Sequence, residues 1–273
     1  MLSLNKNNII LICLISISSL GYSQSNKGKM FVFWGWNRAN YSDSDIHFKG
    51  KDYDFTLSNV KAKDRVTPFS FYNYFHPGRI TIPQTNFKIG YFFHDNYTVS
   101  FGVDHMKYVM TQDQSVKIKG NINTGGNFDK NYANDDIILT KNFLQFEHTD
   151  GLNYINVEVK RFDDFSRFIG LNSEDISVNL TEGIGAGFLY PKTNATLMDN
   201  DRYDDFNVAG WGVSASVGIN ITFLKHFFVQ SDFKYGYINM PNIRTTKNEI
   251  DSASQNFTFF ERTLVFGGRF SIF

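Results

Sequence analysis

Only one cysteine occurs in 273 residues, Cys13, and it lies inside an apolar stretch near the amino terminus. Beyond it there is no thiol, which excludes disulfides, cysteine metal sites and cysteine nucleophiles from the rest of the chain. Proline is scarce, at 5, and neither sign of charge is in excess, since Lys plus Arg and Asp plus Glu both number 27. Without a basic surplus there is no electrostatic footprint for nucleic acid. Long hydrophobic runs are also missing. The stretch from Ile9 to Leu20 is shorter than the roughly 20 apolar residues that a membrane-crossing helix needs, and no later stretch approaches that length. A helical membrane protein is therefore excluded. No low-complexity linker or clear repeat marks a domain boundary.

What is present begins with an export leader. Residues 1–23 carry one Lys and no acid, then the apolar run, then small residues at Gly21 and Ser23. This is the pattern of a secretory signal peptide, with cleavage expected before Gln24. Cys13 follows Ile12, where a lipoprotein signal would need a small residue, so it is expected to leave with the leader. The remaining residues, 24–273, are expected to form a single domain. They are rich in aromatics and glycine, the whole chain holding 29 Phe, 14 Tyr and 21 Gly.

Residues 209 to 224 read AGWGVSASVGINITFL. Odd positions hold Ala, Trp, Val, Ala, Val, Ile, Ile and Phe, while even positions hold mostly Gly, Ser, Asn and Thr. A period of two held this long predicts a long β-strand, because helical spacing would mix the two sets. After Lys225-His226 the pattern resumes, with Phe227, Val229, Phe233, Tyr235 and Tyr237 on one face and Gln230, Asp232 and Lys234 on the other. That is a tight hairpin. A second hairpin is predicted around the turn HDN: Phe87, Ile89 and Tyr91 oppose Gln84, Asn86 and Lys88, and Val99, Phe101 and Val103 oppose Thr98, Ser100 and Asp104. Carried along the chain, this predicts eight strands, roughly 29–41, 82–93, 97–110, 150–163, 178–191, 208–224, 226–240 and 256–273. Ten are predicted if FLQFEHTD is a strand of its own.

One apolar and one polar face per strand suits either a soluble barrel or a membrane barrel with a polar lumen. Strands of 13 to 17 residues exceed the usual five or six of globular sheets, whereas about 9 to 11 cross a bilayer when tilted. Connections are short at one end and run to about forty residues at the other, the asymmetry of outer-membrane barrels. Aromatics gather beside the short turns, at Tyr91, Phe92, Phe93, Tyr97, Phe223, Phe227 and Phe228, where an interfacial girdle would sit. The closing strand, FTFFERTLVFGGRFSIF, ends on Phe273.

On these features the chain resembles small outer-membrane β-barrel proteins of Gram-negative bacteria, which typically end their last strand on Phe. The Gln start and the Phe-, Asn- and Lys-rich style are similar to such proteins from Bacteroidota. The resemblance implies an all-β, closed antiparallel up-and-down transmembrane barrel in the outer membrane, among outer-membrane lipid and lipopolysaccharide. It also implies delivery by the barrel-assembly machinery, with Phe273 as the assembly signal.

Eight strands leave an interior that side chains can fill. Gln84, Asn86, Lys88, Asp104, Asn156, Glu158, Lys160, Gln230, Asp232 and Lys234 are expected there, acids and bases in similar number, as a charge-paired plug. The sharpest cluster outside it joins Asp104, His105 and Lys107 to Glu147, His148 and Asp150. A histidine beside carboxylates near the outer rim is the material of a general base. Eight-stranded outer-membrane barrels include lipid A deacylases and acyltransferases, and this makes His148 or His105 candidate bases by analogy of fold alone. Against that, Asp104 and His105 are adjacent and must face opposite sides of a strand. His105 and Lys107 would then be lipid-contact residues facing lipopolysaccharide phosphates. No spacing is diagnostic of a metal, and nothing implies a cofactor.

Trp34, Trp36 and Arg38 share a face, as a cation-and-ring stack or as interfacial anchors. The loop beyond Tyr41 holds an alternating pair, IHFKG and DYDFTL, predicted to form a hairpin above the membrane. Loops of this length are often functional. The leading expectation is a structural or binding protein that meets an extracellular ligand through its loops. The alternatives are a lipid A-modifying enzyme and a narrow, porin-like channel.

Overall fold

A computed structural model describes residues 26–79, 81–198, 200 and 202–271. The leader 1–23 and the terminal Phe273 lie outside the described residues. The chain opens with β1 (Lys29–Tyr41), β2 (Ser44–Lys49), β3 (Tyr53–Val60), β4 (Ala62–Lys63) and one short helix, α1 (Phe71–Phe75). The middle holds β5 (Thr85–His94), β6 (Tyr97–His105), β7 (Tyr108–Met110), β8 (Ser115–Ile122), β9 (Lys130–Ile138) and β10 (Leu144–His148). Then come β11 (Tyr154–Asp164), β12 (Ile176–Leu189), β13 (Asn194–Leu197), β14 (Gly210–Phe223), β15 (Phe227–Arg244) and β16 (Ser252–Ser271).

Eight of these close a ring in the order β1-β5-β6-β11-β12-β14-β15-β16, and β16 returns to β1 in continuous antiparallel register from Lys29↔Ser271 to Tyr41↔Phe259. The fold is an all-β, up-and-down barrel of eight strands. Closure leaves no sheet edge, the condition for a strand structure to exist in lipid. The outward faces are apolar and open: Phe87, Ile89, Phe101, Val157, Val217, Ile219, Phe233, Leu264, Phe266 and Phe270 are all exposed. Every lumen position expected from parity, from Gln84 to Lys234, is buried. The barrel is a transmembrane barrel with its polar face inside.

The sequence reading needs correction in four places. FLQFEHTD does contain a separate strand, β10, but it never enters the ring. It pairs with β7 and β13 in a second, four-stranded sheet, order β13-β10-β7-β4. Strand 97–110 stops at His105, and β7 departs to that sheet. The strand predicted to begin at 82 begins at Thr85, because residues before it lie against the outside of the wall. The aromatics beside the short turns divide by parity: Tyr91, Phe93, Tyr97, Phe223 and Phe227 are exposed on the outer face, while Phe92 and Phe228 are buried inside.

Above the ring, the predicted hairpin forms as β2 and β3, with Phe48 opposite Phe55. It continues the barrel sheet, since the upper part of β16 pairs with β2, and β8 and β9 extend it further. The four-stranded sheet packs against this extension. Phe48 meets Phe146 at 5.6 Å and Phe55 meets Phe143 at 5.8 Å between ring centroids. The result is a two-layered cap with its own apolar core.

Candidate functional site

The interior is built in three levels. At the end bearing the short turns, Phe31, Phe33, Phe92, Phe162, Phe228 and Val265 form a buried apolar cluster. Arg269 reaches into it, its guanidinium carbon 5.0, 5.5 and 5.7 Å from the centroids of Phe92, Phe162 and Phe228. Its Nη2 donates to Asn220 Oδ1 at 3.2 Å. Three rings around one cation hold a charge in an otherwise apolar plug.

The middle level is a buried ionic network. Lys234 Nζ lies 2.6 Å from Asp104, 3.6 Å from Glu158 and 3.7 Å from Glu261. Lys160 bridges Asp232 at 2.9 Å and Glu158 at 3.4 Å, and Lys88 reaches Glu158 at 3.4 Å. Amides and a hydroxyl add hydrogen bonds around these charges, while Glu158 Oε2 and Glu261 Oε2 accept none. Asn86 donates to Asp104 and Glu261, Asn156 donates to Asp104, and Thr181 and Gln230 donate to Asp232. Asn37 donates to Asn86 and Asn220 donates to Gln230, so every barrel strand contributes a side chain. A charge is tolerated in such an interior only when it is paired and hydrogen-bonded. Glu261 was missed in the sequence because Arg262 beside it breaks the apolar face and blurs the parity.

At the third level the interior turns apolar. Tyr154, Leu189, Ile238, Met240 and Phe259 are fully buried beneath the cap. Gly187 stands where a Cβ would come within 2.0 Å of the Ile155 carbonyl oxygen, so this glycine serves the close approach of two strands. Elsewhere on β12 a glycine makes room for neighbouring side chains: a Cβ at Gly183 would meet Lys160 and Ser216.

Around the rim, the structure separates the residues that the sequence grouped. Asp104 points inward to Lys234. His105 is on the outer face, opposite Thr85, with Nδ1 2.7 Å from Asn153 Oδ1. Lys107 donates to the Ile82 carbonyl at 2.5 Å. Both are 8% exposed, because the chain before β5 covers them. His148 is fully buried in the cap between Tyr108 and Phe146, with Nδ1 3.0 Å from Thr193 Oγ1. Burial pushes its pKa down to about 3. Glu147 faces the other way and holds Asn194, Thr149 and Arg65. Asp150 pairs with Lys192 at 3.4 Å. Neither histidine meets a carboxylate in this arrangement, and among the described residues no three His, Asp or Glu side chains gather as a metal site.

Trp36 and Arg38 act as anchors, not as a stack with each other. Arg38 Nη2 donates to Tyr74 Oη at 2.7 Å, and Trp36 packs on Tyr74 and Phe75 of α1. Glu182 is exposed on the outer face, 3.8 Å from Arg161 near the end bearing the short turns.

No protein-family profile matches the chain, and no curated protein sequence matches it. Among solved structures it is similar to the outer membrane protein OprG of Pseudomonas aeruginosa, at 11% identity and a TM-score of 0.40, over 90% of this chain and 97% of that one. It is also similar to Neisserial surface protein A, at 9% identity and 0.34, over 89% and 100%. The attachment invasion locus protein Ail of Yersinia pestis, solved with the heparin analogue sucrose octasulfate, shares 9% identity at 0.32, over 89% and 99%. Likenesses at this level concern fold, and the barrel assignment rests on the strand register described above.

Proposed function

We propose that the protein is an outer-membrane barrel with a sealed interior, and that its structural or binding role is exerted through the extracellular cap. The observation that carries this reading is the filling of the lumen at all three levels: aromatic plug, ionic network and apolar lid. A passage for solutes would need every one of these levels to be open. An outward apolar belt without a sheet edge suits lipid, and the export leader 1–23 supplies the route to an outer membrane of the Bacteroidota-like kind. Residues 24–273 would form one exported unit, and Phe273 would be read by the barrel-assembly machinery as its signal.

The cap is the part with something to offer a partner. It raises two packed sheets, with β2, β3, β4, β7, β8, β9, β10 and β13 all lying on connections between barrel strands, which is more structure than joining strands requires. Its ligand would be met outside the cell. The lipid A enzyme reading finds less support, because His148 is enclosed and His105 is covered, and neither has an orienting acid.

Three measurements test the proposal. Purified protein in planar bilayers should show conductance at background, and stepwise channels would overturn the sealed lumen. Lipid A mass spectra from cells with and without the protein should coincide, and a difference of one acyl chain would restore the enzyme reading. Deleting Phe273 should reduce the amount assembled in the outer membrane, and unchanged assembly would remove that residue as the signal.

A further inference from the structure

The outer wall is not equally bare all the way round. Residues 66–79 and 81–83 lie along the upper outward face of β1, β5 and β6, leaving outward-facing Thr85 and His105 buried although the belt residues below them are open. Within this stretch α1 carries Tyr74 against the wall, where its hydroxyl accepts from Arg38 and donates to the Thr67 carbonyl at 2.8 Å. The other rings point away. Phe69, Phe71, Tyr72 and Phe75 are 68%, 76%, 58% and 53% exposed. They form one patch, with Phe69 to Phe71 at 5.7 Å and Phe71 to Phe75 at 5.6 Å.

Three observations say what covers this patch. It is continuous with the lipid belt, because Trp36 touches Phe75 at 5.3 Å and the belt residue Phe266 at 5.9 Å. It stands at the height where the outward face changes character. Trp36 lies opposite Leu264, the next outward pair is Arg38 opposite Arg262, and Asn40 follows. It is also amphipathic, since Arg79 sits over the Tyr72 ring at 4.3 Å and donates to Asn73 at 3.0 Å. Aromatic rings with a cation at their margin favour the boundary between headgroups and acyl chains. An aromatic patch this open would be an aggregation hazard in water.

We infer that residues 69–75 form an aromatic strap inserted into the outer-leaflet lipid beside β1, a second membrane contact that ties the long first connection and the cap to the lipid surface. The inference rests on the membrane-barrel reading, and its test separates the two. In a Cys13→Ser background no cysteine remains. Single cysteines are introduced as Tyr72→Cys in the strap, Val217→Cys in the belt and Asn127→Cys in the turn between β8 and β9. Each is labelled with an environment-sensitive fluorophore, and the protein is reconstituted in vesicles containing nitroxide lipids. The belt and strap probes should each lose roughly half their intensity, the strap more to a nitroxide near the headgroup and the belt more to one deep in the acyl chain. The turn probe should be unaffected. A strap probe that behaves like the turn probe, while the belt probe is quenched, overturns the inference and leaves the barrel reading standing. An unquenched belt probe overturns the barrel reading itself. Shielding of the strap only when envelope proteins are added, and not in pure lipid, would overturn the inference in favour of a protein partner. Phe71→Cys repeats the measurement, and a boiled-against-unboiled gel shift confirms that each variant has folded.

Discussion

The barrel and the cap are two solutions to one problem, built from the same strands with the opposite filling. β15 and β16 pass through both. Along the inward face of β15, Gln230, Asp232 and Lys234 give way to Gly236, Ile238 and Met240. Along β16 the inward series runs from Ala253, Gln255, Phe257 and Phe259 to Glu261 and Thr263. The outward face changes the other way, from Leu264 and Phe266 to Asn256 and Ser254. The parity never breaks at this crossing, so what changes is the solvent. Below it lipid takes the apolar face and leaves the polar one to pair with itself; above it water takes the polar face and the apolar one packs. The two interiors should therefore fail differently.

The largest effect should come from Lys234→Met, which leaves Asp104, Glu158 and Glu261 without their shared cation. A buried charge pair broken from one side costs about 3–5 kcal/mol. The midpoint of the boiled-against-unboiled gel shift should fall accordingly, and an unchanged midpoint would mean the network adds no stability. Phe55→Ala in the cap should cost about 3–4 kcal/mol, the usual price of truncating a buried Phe. Its loss should appear as protease cleavage between residues 42 and 153 with the barrel midpoint unchanged. A matching fall in the barrel midpoint would show that the two cores unfold as one.

A smaller and graded effect should follow pH. His148 is held neutral in the fold down to about 3, against 6.5 when free. Above pH 6.5 neither state carries the proton, so the residue contributes no pH dependence. As pH falls from 6.5 toward 3 the unfolded cap takes up a proton that the folded cap refuses, and cap stability should drop by about 1.4 kcal/mol per pH unit. Hydrogen exchange of β7 and β10 measures it, and His148→Phe should flatten the slope. The smallest effect is expected from Arg262→Gln, within about 0.5 kcal/mol, because its partner Asn40 is exposed and the side chain stands at the water boundary.

Much of the barrel was legible because alternation is a local property. The Val213, Ala215, Val217 series gave the lipid face of β14, and Asp232 with Lys234 gave the lumen face of β15, without any knowledge of neighbours. The alternation of short and long connections gave the two ends. Residues 66–84 were not legible, since TPFSFYNYF has no period of two and its five aromatics in seven residues fit neither strand face. The candidate site was legible only as a set of residue types. DHMKY and FEHTDGLNY supply the residues of that cluster; β7 and β10 pair, with His148 opposite Tyr108, yet His105 and His148 end in different surroundings.

The sequence by itself determined the strands, the parity of each, and the apolar belt, because a side chain's face depends only on its place in its own strand. Tertiary structure decided which lysine meets which carboxylate, that β10 joins the cap and not the ring, and that Phe92, Phe162 and Phe228 come together around Arg269. Those outcomes depend on contacts between segments as far apart as Asp104 and Lys234, 130 residues in the chain. No local pattern encodes such pairings, which are set only when the ring closes and its interior has to be filled.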